Sequence, residues 1–344
     1  MSHLFPYKWN LSDGYPAKGI EYNGLKVFGT FICGGGSTMG YKLAGFDHLG
    51  GVEIDPPIAD VYKTNHRPKY LFTEDIRDFN KRTDLPDELF NLDLLDGSPP
   101  CSSFSMAGNR EKDWGKTKVF REGQSHQRLD DLFFDYIDLA KRLQPKVVIA
   151  ENVKGLIQGN AKAYVHRIKK QFEEAGYKVQ LFLLNAASMG VPQKRERVFF
   201  VCQRNDLNLP KLELGFNEKA IPYINFAATK GDEPQLTPDQ FHWWRLCKPG
   251  NAFSSAHPKG HWFNAYKLDW MDIFPTLTAS GGNAEPFHPV EPRKINEYEY
   301  CIGGTFPIDY NFKGMEPKYL IGMSVPPVMA AQIANQIYIQ WFKK

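Results

Sequence analysis

The chain has 344 residues, 42% of them hydrophobic and 24% charged, with a formal net charge of +3. That length allows one large core and a second, smaller unit, and the composition is that of an ordinary globular protein, neither disordered nor fibrous. No run is apolar over the length of a membrane span and the first ten residues lack a basic-then-apolar signal, so a cytoplasmic protein with no membrane partner is expected.

The mild positive charge permits nucleic-acid binding without requiring it. Five cysteines (Cys33, Cys101, Cys202, Cys247, Cys301) are odd in number and widely spread, with no C-x-x-C pair. Neither a disulfide framework nor a cysteine-rich zinc site follows, and no metal is expected.

Residues 1–24 are polar, aromatic and spotted with Gly and Pro, and are expected to pack loosely as an N-terminal extension. From Leu25 the pattern changes. Leu25–Ile32 reads as a strand, Cys33-Gly34-Gly35-Gly36 as a loop, and Ser37–Gly45 as the start of a helix. Strand, glycine loop, helix opens a nucleotide-type α/β fold, because glycines let the backbone approach a ligand and the helix start favours negative charge. The same run also serves as a plain tight turn. The next strand, Gly50–Ile54, carries Glu53 near its end and Asp55 beyond it. A carboxylate there either meets a ribose hydroxyl pair or faces solvent. Thr73–Ile76 is a further acidic break that suits the adenine side of the same pocket.

Leu92–Leu95 is a buried strand that breaks at Asp96-Gly97-Ser98 and passes Pro99 and Pro100 to reach Cys101. Two prolines stiffen the turn and hold Cys101 at the carboxyl edge of a sheet, where open α/β folds bind ligands. Cys101 is there either a nucleophile or a small turn residue. Ser102–Arg128 carries six basic residues against three acids and reads as a lid over a polyanion or as a solvated loop. A helical apolar face then runs from Leu129 to Leu143 and stops at Pro145. The strand Val147–Ala150 leads into Glu151-Asn152-Val153, which brings a second carboxylate near Cys101. After a helix bearing Tyr164, Ile168 and Phe172 come a strand at Val179–Leu184 and Gly190–Val201. Arg195 and Arg197 in that last stretch share a face if the chain is extended. Residues 203–274 show little periodicity and hold four of the tryptophans. Their histidines are expected to be satisfied or exposed rather than metal ligands. The tail, Lys318–Trp341, ends in an apolar helix that should dock on the first domain.

In this order and spacing the segments resemble the cytosine-C5 DNA methyltransferases, which use S-adenosylmethionine (SAM). The resemblance runs from about Leu25 to the C-terminus, apart from 203–274, where that family places its variable target-recognition domain. Phe31–Gly36 looks like the cofactor loop, Glu53 the ribose acid, Asp75-Ile76 the adenine contacts, and Pro99-Pro100-Cys101 the catalytic motif. Glu151–Val153, Gln193–Arg197, Arg293 to Pro307 and Gly322–Pro327 match the remaining motifs. The chain departs from the pattern at Cys33 (usually glycine), Met323 (usually asparagine), and Ile302 and Thr305 (usually arginine and glycine).

The resemblance implies a Rossmann-like α/β sheet with helices on both faces and a small irregular recognition domain. Its parts are an extension at 1–24, a SAM-binding catalytic domain at 25–202, a recognition domain at 203–310 and a returning segment at 311–344. It places Phe31, Cys33, Gly34, Gly35, Gly36, Glu53, Ile54, Asp75, Ile76, Ser98, Pro100, Ser324 and Val325 around the cofactor. Cys101, Glu151, Arg195 and Arg197 form the catalytic group. The implied reaction moves a methyl group from SAM to C5 of a cytosine flipped out of double-stranded DNA, through a Cys101–C6 adduct. An arginine would favour the thiolate, and Glu151 would hold the cytosine N3 and amine. A monomer with a cognate restriction endonuclease as partner is the matching expectation. The competing readings are a tRNA methyltransferase, a non-catalytic binding module and a thiol hydrolase. The module is disfavoured because Cys101, Glu151 and Arg197 are all present; the hydrolase lacks a histidine beside Cys101.

Overall fold

Short apolar runs rich in Val, Ile, Leu and Phe pair into one central sheet in a computed structural model that describes residues 3–100, 117–118, 127–128, 131–158, 162–228, 236–279 and 285–343. Its first strands are β1 (Lys26–Thr30), β2 (Asp47–Val52), β3 (Tyr70–Phe72) and β4 (Leu94–Gly97). A separate two-stranded pair, β5 (Thr117–Lys118) and β6 (Gln127–Arg128), is all that is described of the basic stretch after Cys101. The sheet continues with β7 (Val147–Val153), β8 (Tyr177–Asn185) and β9 (Glu196–Arg204). The spatial order is β3-β2-β1-β4-β7-β9-β8. Strands β1 to β4 and β7 are parallel, while β9 runs antiparallel between β7 and β8.

Parallel strands need covered faces, and both are covered here. On one side lie α1 (Gly36–Leu43) and α2 (Pro56–His66); on the other lie α3 (Ile76–Phe79), α4 (Leu132–Leu143) and α5 (Lys162–Glu174). Successive residues of β4 serve opposite cores: Leu94 packs on the α1 side and Leu95 on the α4 side. Helices α6 (Pro238–Leu246), α7 (Glu297–Gly303), α8 (Pro317–Met323) and α9 (Pro327–Ile337) complete the set, and α9 ends in a π-helical turn, Tyr338–Phe342. No helix among the described residues is long and apolar enough to cross a membrane.

The tail helix docks as expected. Helix α9 lies against α1 so closely that a Cβ at Gly40 would sit 2.5 Å from both Ala330 Cβ and the Pro327 carbonyl oxygen. Gly40→Ala is therefore expected to destabilise the fold by about 1–3 kcal/mol through overpacking, read as a lowered Tm in thermal melts.

Two expectations change. The N-terminal residues do not pack loosely: Phe5 and Trp9 are buried in the main core, and Trp9 Nε1 donates to the Thr305 carbonyl at 2.9 Å. Strand β7 does not stop at Ala150, since its pairing with β9 continues to Val153 opposite Arg197. Glu151, expected at the strand's carboxyl end, is a paired strand residue opposite Phe199.

The irregular segment divides its loyalties. Tyr223, Phe226 and Phe274 join the main core, with Trp270 stacked on Tyr223. A satellite core of Cys247, Phe253, Ala265 and Phe287 lies under Trp243, Trp244 and Trp262. It is crossed by β10 (Asn251–Ala252), β11 (Tyr266–Lys267) and β12 (Pro286–Phe287). The buried Glu299 carboxylate joins the two parts, accepting from Arg293 at 2.8 Å, from the Ala228 N–H and from the Tyr223 hydroxyl.

Candidate active site

The carboxyl edge of β1, β2 and β4 opens into a cleft with about 850 Å³ of empty space, its open mouth included. Eight of the anticipated cofactor residues line it: Phe31, Cys33, Glu53, Ile54, Asp75, Ile76, Ser98 and Pro100. Glu74, from the acidic break expected on the adenine side, and Met323, from the returning motif, line it too, as do Val52, Ile58, Leu132 and Tyr319, which were not anticipated. Tyr319 and Met323 are four apart on α8 and so share a face. Glu74 adjoins Asp75 in the chain.

The loop from β1 is built from residues in the left-handed region. Phe31 (φ 54°), Cys33 (φ 47°) and Gly35 (φ 76°) all lie there, a conformation that costs non-glycine residues energy and recurs at ligand clamps. The Cys33 N–H donates to Glu53 Oε2 at 2.9 Å, and the Asp55 N–H donates to Glu53 Oε1 at 3.0 Å. Backbone N–H groups thus hold both Glu53 oxygens in place. Burial raises the Glu53 carboxyl pKa, and these N–H groups pull it back.

Gly34, Gly35, Gly36, Ser324 and Val325 are not among the lining residues. A Cβ at Gly36 would lie 2.1 Å from the Val325 carbonyl oxygen, and one at Gly35 would lie 2.2 Å from His66 Nε2. The glycines thus let the loop seat on α2 and on the returning segment. The Gly34 carbonyl accepts from both Tyr310 Oη, at 2.7 Å, and His66 Nε2, at 3.1 Å.

The two arginines have different partners. Arg197 Nε meets Glu151 Oε1 at 2.9 Å, with side chains only 14% and 12% exposed. Burial works against the Arg197 cation and the Glu151 carboxylate offsets part of that. Arg195 is fully enclosed and donates to the carbonyls of Leu277 (2.9 Å), Gly322 (3.0 Å) and Ser324 (3.0 Å). It fastens the lead-in of β9 to the recognition segment and to the segment after α8. Asn152 Nδ2 donates to the Pro99 carbonyl at 3.1 Å and so ties β7 to the proline turn. Cys101, next in the chain after Pro100, lies outside the described residues.

A family model for C-5 cytosine-specific DNA methylase matches residues 25–240. The chain belongs to that family. The Type II methyltransferase M.NgoPII of Neisseria gonorrhoeae is 36% identical over a 363-residue alignment that covers 92% of this chain and 96% of that protein. M.FnuDI of Fusobacterium nucleatum is 39% identical over 202 residues, 58% of this chain and 54% of that protein. Among solved structures, a putative DNA modification methyltransferase encoded within an Escherichia coli prophage superposes with a TM-score of 0.70 at 20% identity. That match covers 92% of this chain and 99% of the other. Spodoptera frugiperda DNMT2 superposes with a TM-score of 0.65 at 16% identity, covering 91% and 99%. These two likenesses speak to the fold alone.

C-5 cytosine-specific DNA methylases use SAM, and the cleft suits it. Its walls are apolar at Phe31, Ile54, Ile58, Ile76 and Leu132, and three carboxylates, Glu53, Glu74 and Asp75, line it. Among the described residues no group of three or more His, Cys, Asp or Glu is placed to hold a metal ion.

This methylase also carries a feature that sequence reading missed. The sequence puts Asp96 in a polar break after the strand, yet the residue is buried within β4. Tyr41 Oη donates to its Oδ1 at 3.0 Å. Burial pushes the Asp96 carboxyl up to about 6, the Ser37 and Tyr41 hydroxyls pull it down, and Glu151 pushes it further up. An acid with a raised folded pKa is destabilising when ionised. The cost is absent below the unfolded value near 3.8, builds as pH rises toward 6, and is complete above it. Asp96→Asn is accordingly expected to raise stability at pH 7.5 by up to about 3 kcal/mol, with the gain vanishing below pH 4. Paired urea melts of the two proteins across that range check it.

Proposed function

We propose that the chain is a DNA (cytosine-5-)-methyltransferase that moves a methyl group from SAM to C5 of a cytosine flipped out of double-stranded DNA. The observation that carries this reading is the Glu151–Arg197 pair beside the cofactor cleft. Gly97 pairs with Ala150, so Glu151 stands alongside Ser98, which lines the cleft. A carboxylate fixed by a guanidinium next to a cofactor site suits recognition of the amine and N3 of a base.

C5 of cytosine is a weak nucleophile. In the proposed mechanism the Cys101 thiolate forms a bond to C6, and the displaced ring electrons make C5 nucleophilic. Glu151 takes up a proton as the base docks, gives it to N3 as negative charge develops there, and is left as the carboxylate that Arg197 holds; its other oxygen accepts from the exocyclic amine. Arg197 orients Glu151 and adds positive potential that favours the thiolate. Bound SAM supplies the electrophilic methyl group. The C5 proton then leaves to a base, its bonding electrons form the C5–C6 double bond as the Cys101–C6 bond breaks to release the thiolate, and N3 returns its proton to Glu151. Glu53 is assigned to the ribose hydroxyls, Asp75 and Ile76 to the adenine, and Phe31, Cys33, Ile54, Ser98 and Pro100 to the walls. Gly34, Gly35, Gly36, Ser324 and Val325 shape the loop and its backing, and Arg195 holds that backing in place. Extrusion of the base costs a few kcal/mol, which contacts to phosphate must offset.

The test offers the protein methyl-labelled SAM with double-stranded DNA and, separately, with tRNA. Label in DNA is expected, with sequencing locating 5-methylcytosine at one fixed sequence context. Label in tRNA with none in DNA would replace this reading by the RNA one.

A further inference from the structure

Asp96 is a buried carboxylate with hydroxyl partners and, among the described residues, no cation paired with it. Such a group is costly to keep, and proteins retain buried charge where something compensates it. Its place in the fold says what that could be. It sits one residue before the end of β4, and Ser98 and Pro100, just beyond it, line the cleft. Its partners Ser37 and Tyr41 belong to α1, which opens directly after the glycine loop. Asp96 is therefore joined through the chain to the cleft-lining turn and through hydroxyl groups to the helix that follows the glycine loop, just behind the residues that line the cleft.

The proposed cofactor is a cation at its reacting atom. Its sulfonium carries a full positive charge, which disappears when the methyl group leaves and the neutral thioether of S-adenosylhomocysteine remains. We propose that Asp96 is a positioning residue that supplies the counter-charge for the sulfonium, so that the enzyme binds SAM in preference to its demethylated product. This inference rests on the SAM reading and adds a residue outside the family motifs quoted above. A carboxylate behind a low-dielectric floor acts over several ångströms without contact. It favours the cation in the ground state more than in the transition state, where the charge is already dispersing, so it acts on affinity and product release rather than on the chemical step.

Among the described residues, the groups facing Asp96 are the hydroxyls of Ser37 and Tyr41 from α1, Tyr62 from α2, Tyr136 from α4 and the Glu151 carboxylate from β7. The burial of these tyrosines raises their pKa values, so they stay neutral below pH 9. The preference for SAM should therefore weaken as pH falls and Asp96 takes up a proton.

Calorimetric titration of SAM and S-adenosylhomocysteine into the parent chain and into Asp96→Asn tests this. Both ligands carry the same amine, carboxylate and adenosine, so the ratio of their affinities isolates the sulfonium. The expected result is a fall of about tenfold in the preference for SAM, with affinity for S-adenosylhomocysteine held. Equal loss of both affinities, or no change in the ratio, overturns the assignment and leaves Asp96 as a structural anchor. A parent chain that binds neither ligand overturns the SAM reading itself. Should Asp96→Asn not fold, Tyr41→Phe serves. Loss of its hydroxyl donor destabilises the ionised carboxylate, and the pH at which the preference collapses should move upward; no movement overturns the proposal.

Discussion

Cys101→Ala is expected to transfer no methyl group to DNA while binding SAM as tightly as the parent chain. A covalent step is lost with its nucleophile, and the rate should fall by at least about 10⁴-fold. None of the described thiols can stand in. Cys33 lines the cleft, but burial and the Glu53 carboxylate push its thiol up to about 12. Cys202 and Cys301 are buried and pushed up further, and Cys247 is buried in the satellite core. A thiol that stays protonated is a poor nucleophile. DNA carrying 5-fluorocytosine gives a second readout, because fluorine cannot leave C5 as a proton does and the reaction halts after methyl transfer. The parent chain should then remain joined to DNA on a denaturing gel, and Cys101→Ala should not. Turnover by the variant, or a persistent adduct without the thiol, would sink the mechanism.

The central strands were legible because their surroundings leave a mark in the chain. Strands β1, β4 and β7 are covered on both faces, so they read as apolar runs without alternation. The glycine loop and Glu53 could be placed because close backbone approach and a strand-end carboxylate restrict residue type locally. Legibility failed where long-range pairing overrides local polarity. Asp96 looks like a strand breaker in sequence, and it is a strand residue because neighbours on either side continue the ladder. Tyr319 and Leu132 reach the cleft from segments far from the glycine loop, and nothing near them in the chain announces it. Trp9 is fixed by a carbonyl at Thr305, a contact that no local period encodes. The arginine pair shows the limit most clearly. Spacing placed Arg195 and Arg197 on one face, yet only Arg197 meets the carboxylate, because Arg195 is committed to three carbonyls from the recognition and C-terminal segments.

Glu151→Gln is expected to lower the methylation rate by about 10²–10⁴-fold, the range for losing a positioned proton donor. Glutamine keeps the shape and can still offer hydrogen bonds to the base, so substrate binding should change far less than turnover. What it cannot do is give up a proton at N3 as Cys101 attacks C6. The substitution also leaves the enclosed Arg197 guanidinium without its counter-charge, and some loss of Tm should accompany it. Adding Arg197→Met to the Glu151→Gln variant separates the two effects. With the stranded cation removed, stability should recover in part while activity stays low. The assigned step can be read directly, since Glu151 acts when the Cys101–C6 bond forms. Adduct formation with 5-fluorocytosine DNA should therefore slow in proportion to turnover. A variant that formed the adduct at the parental rate and stalled only afterwards would move Glu151 to a later step.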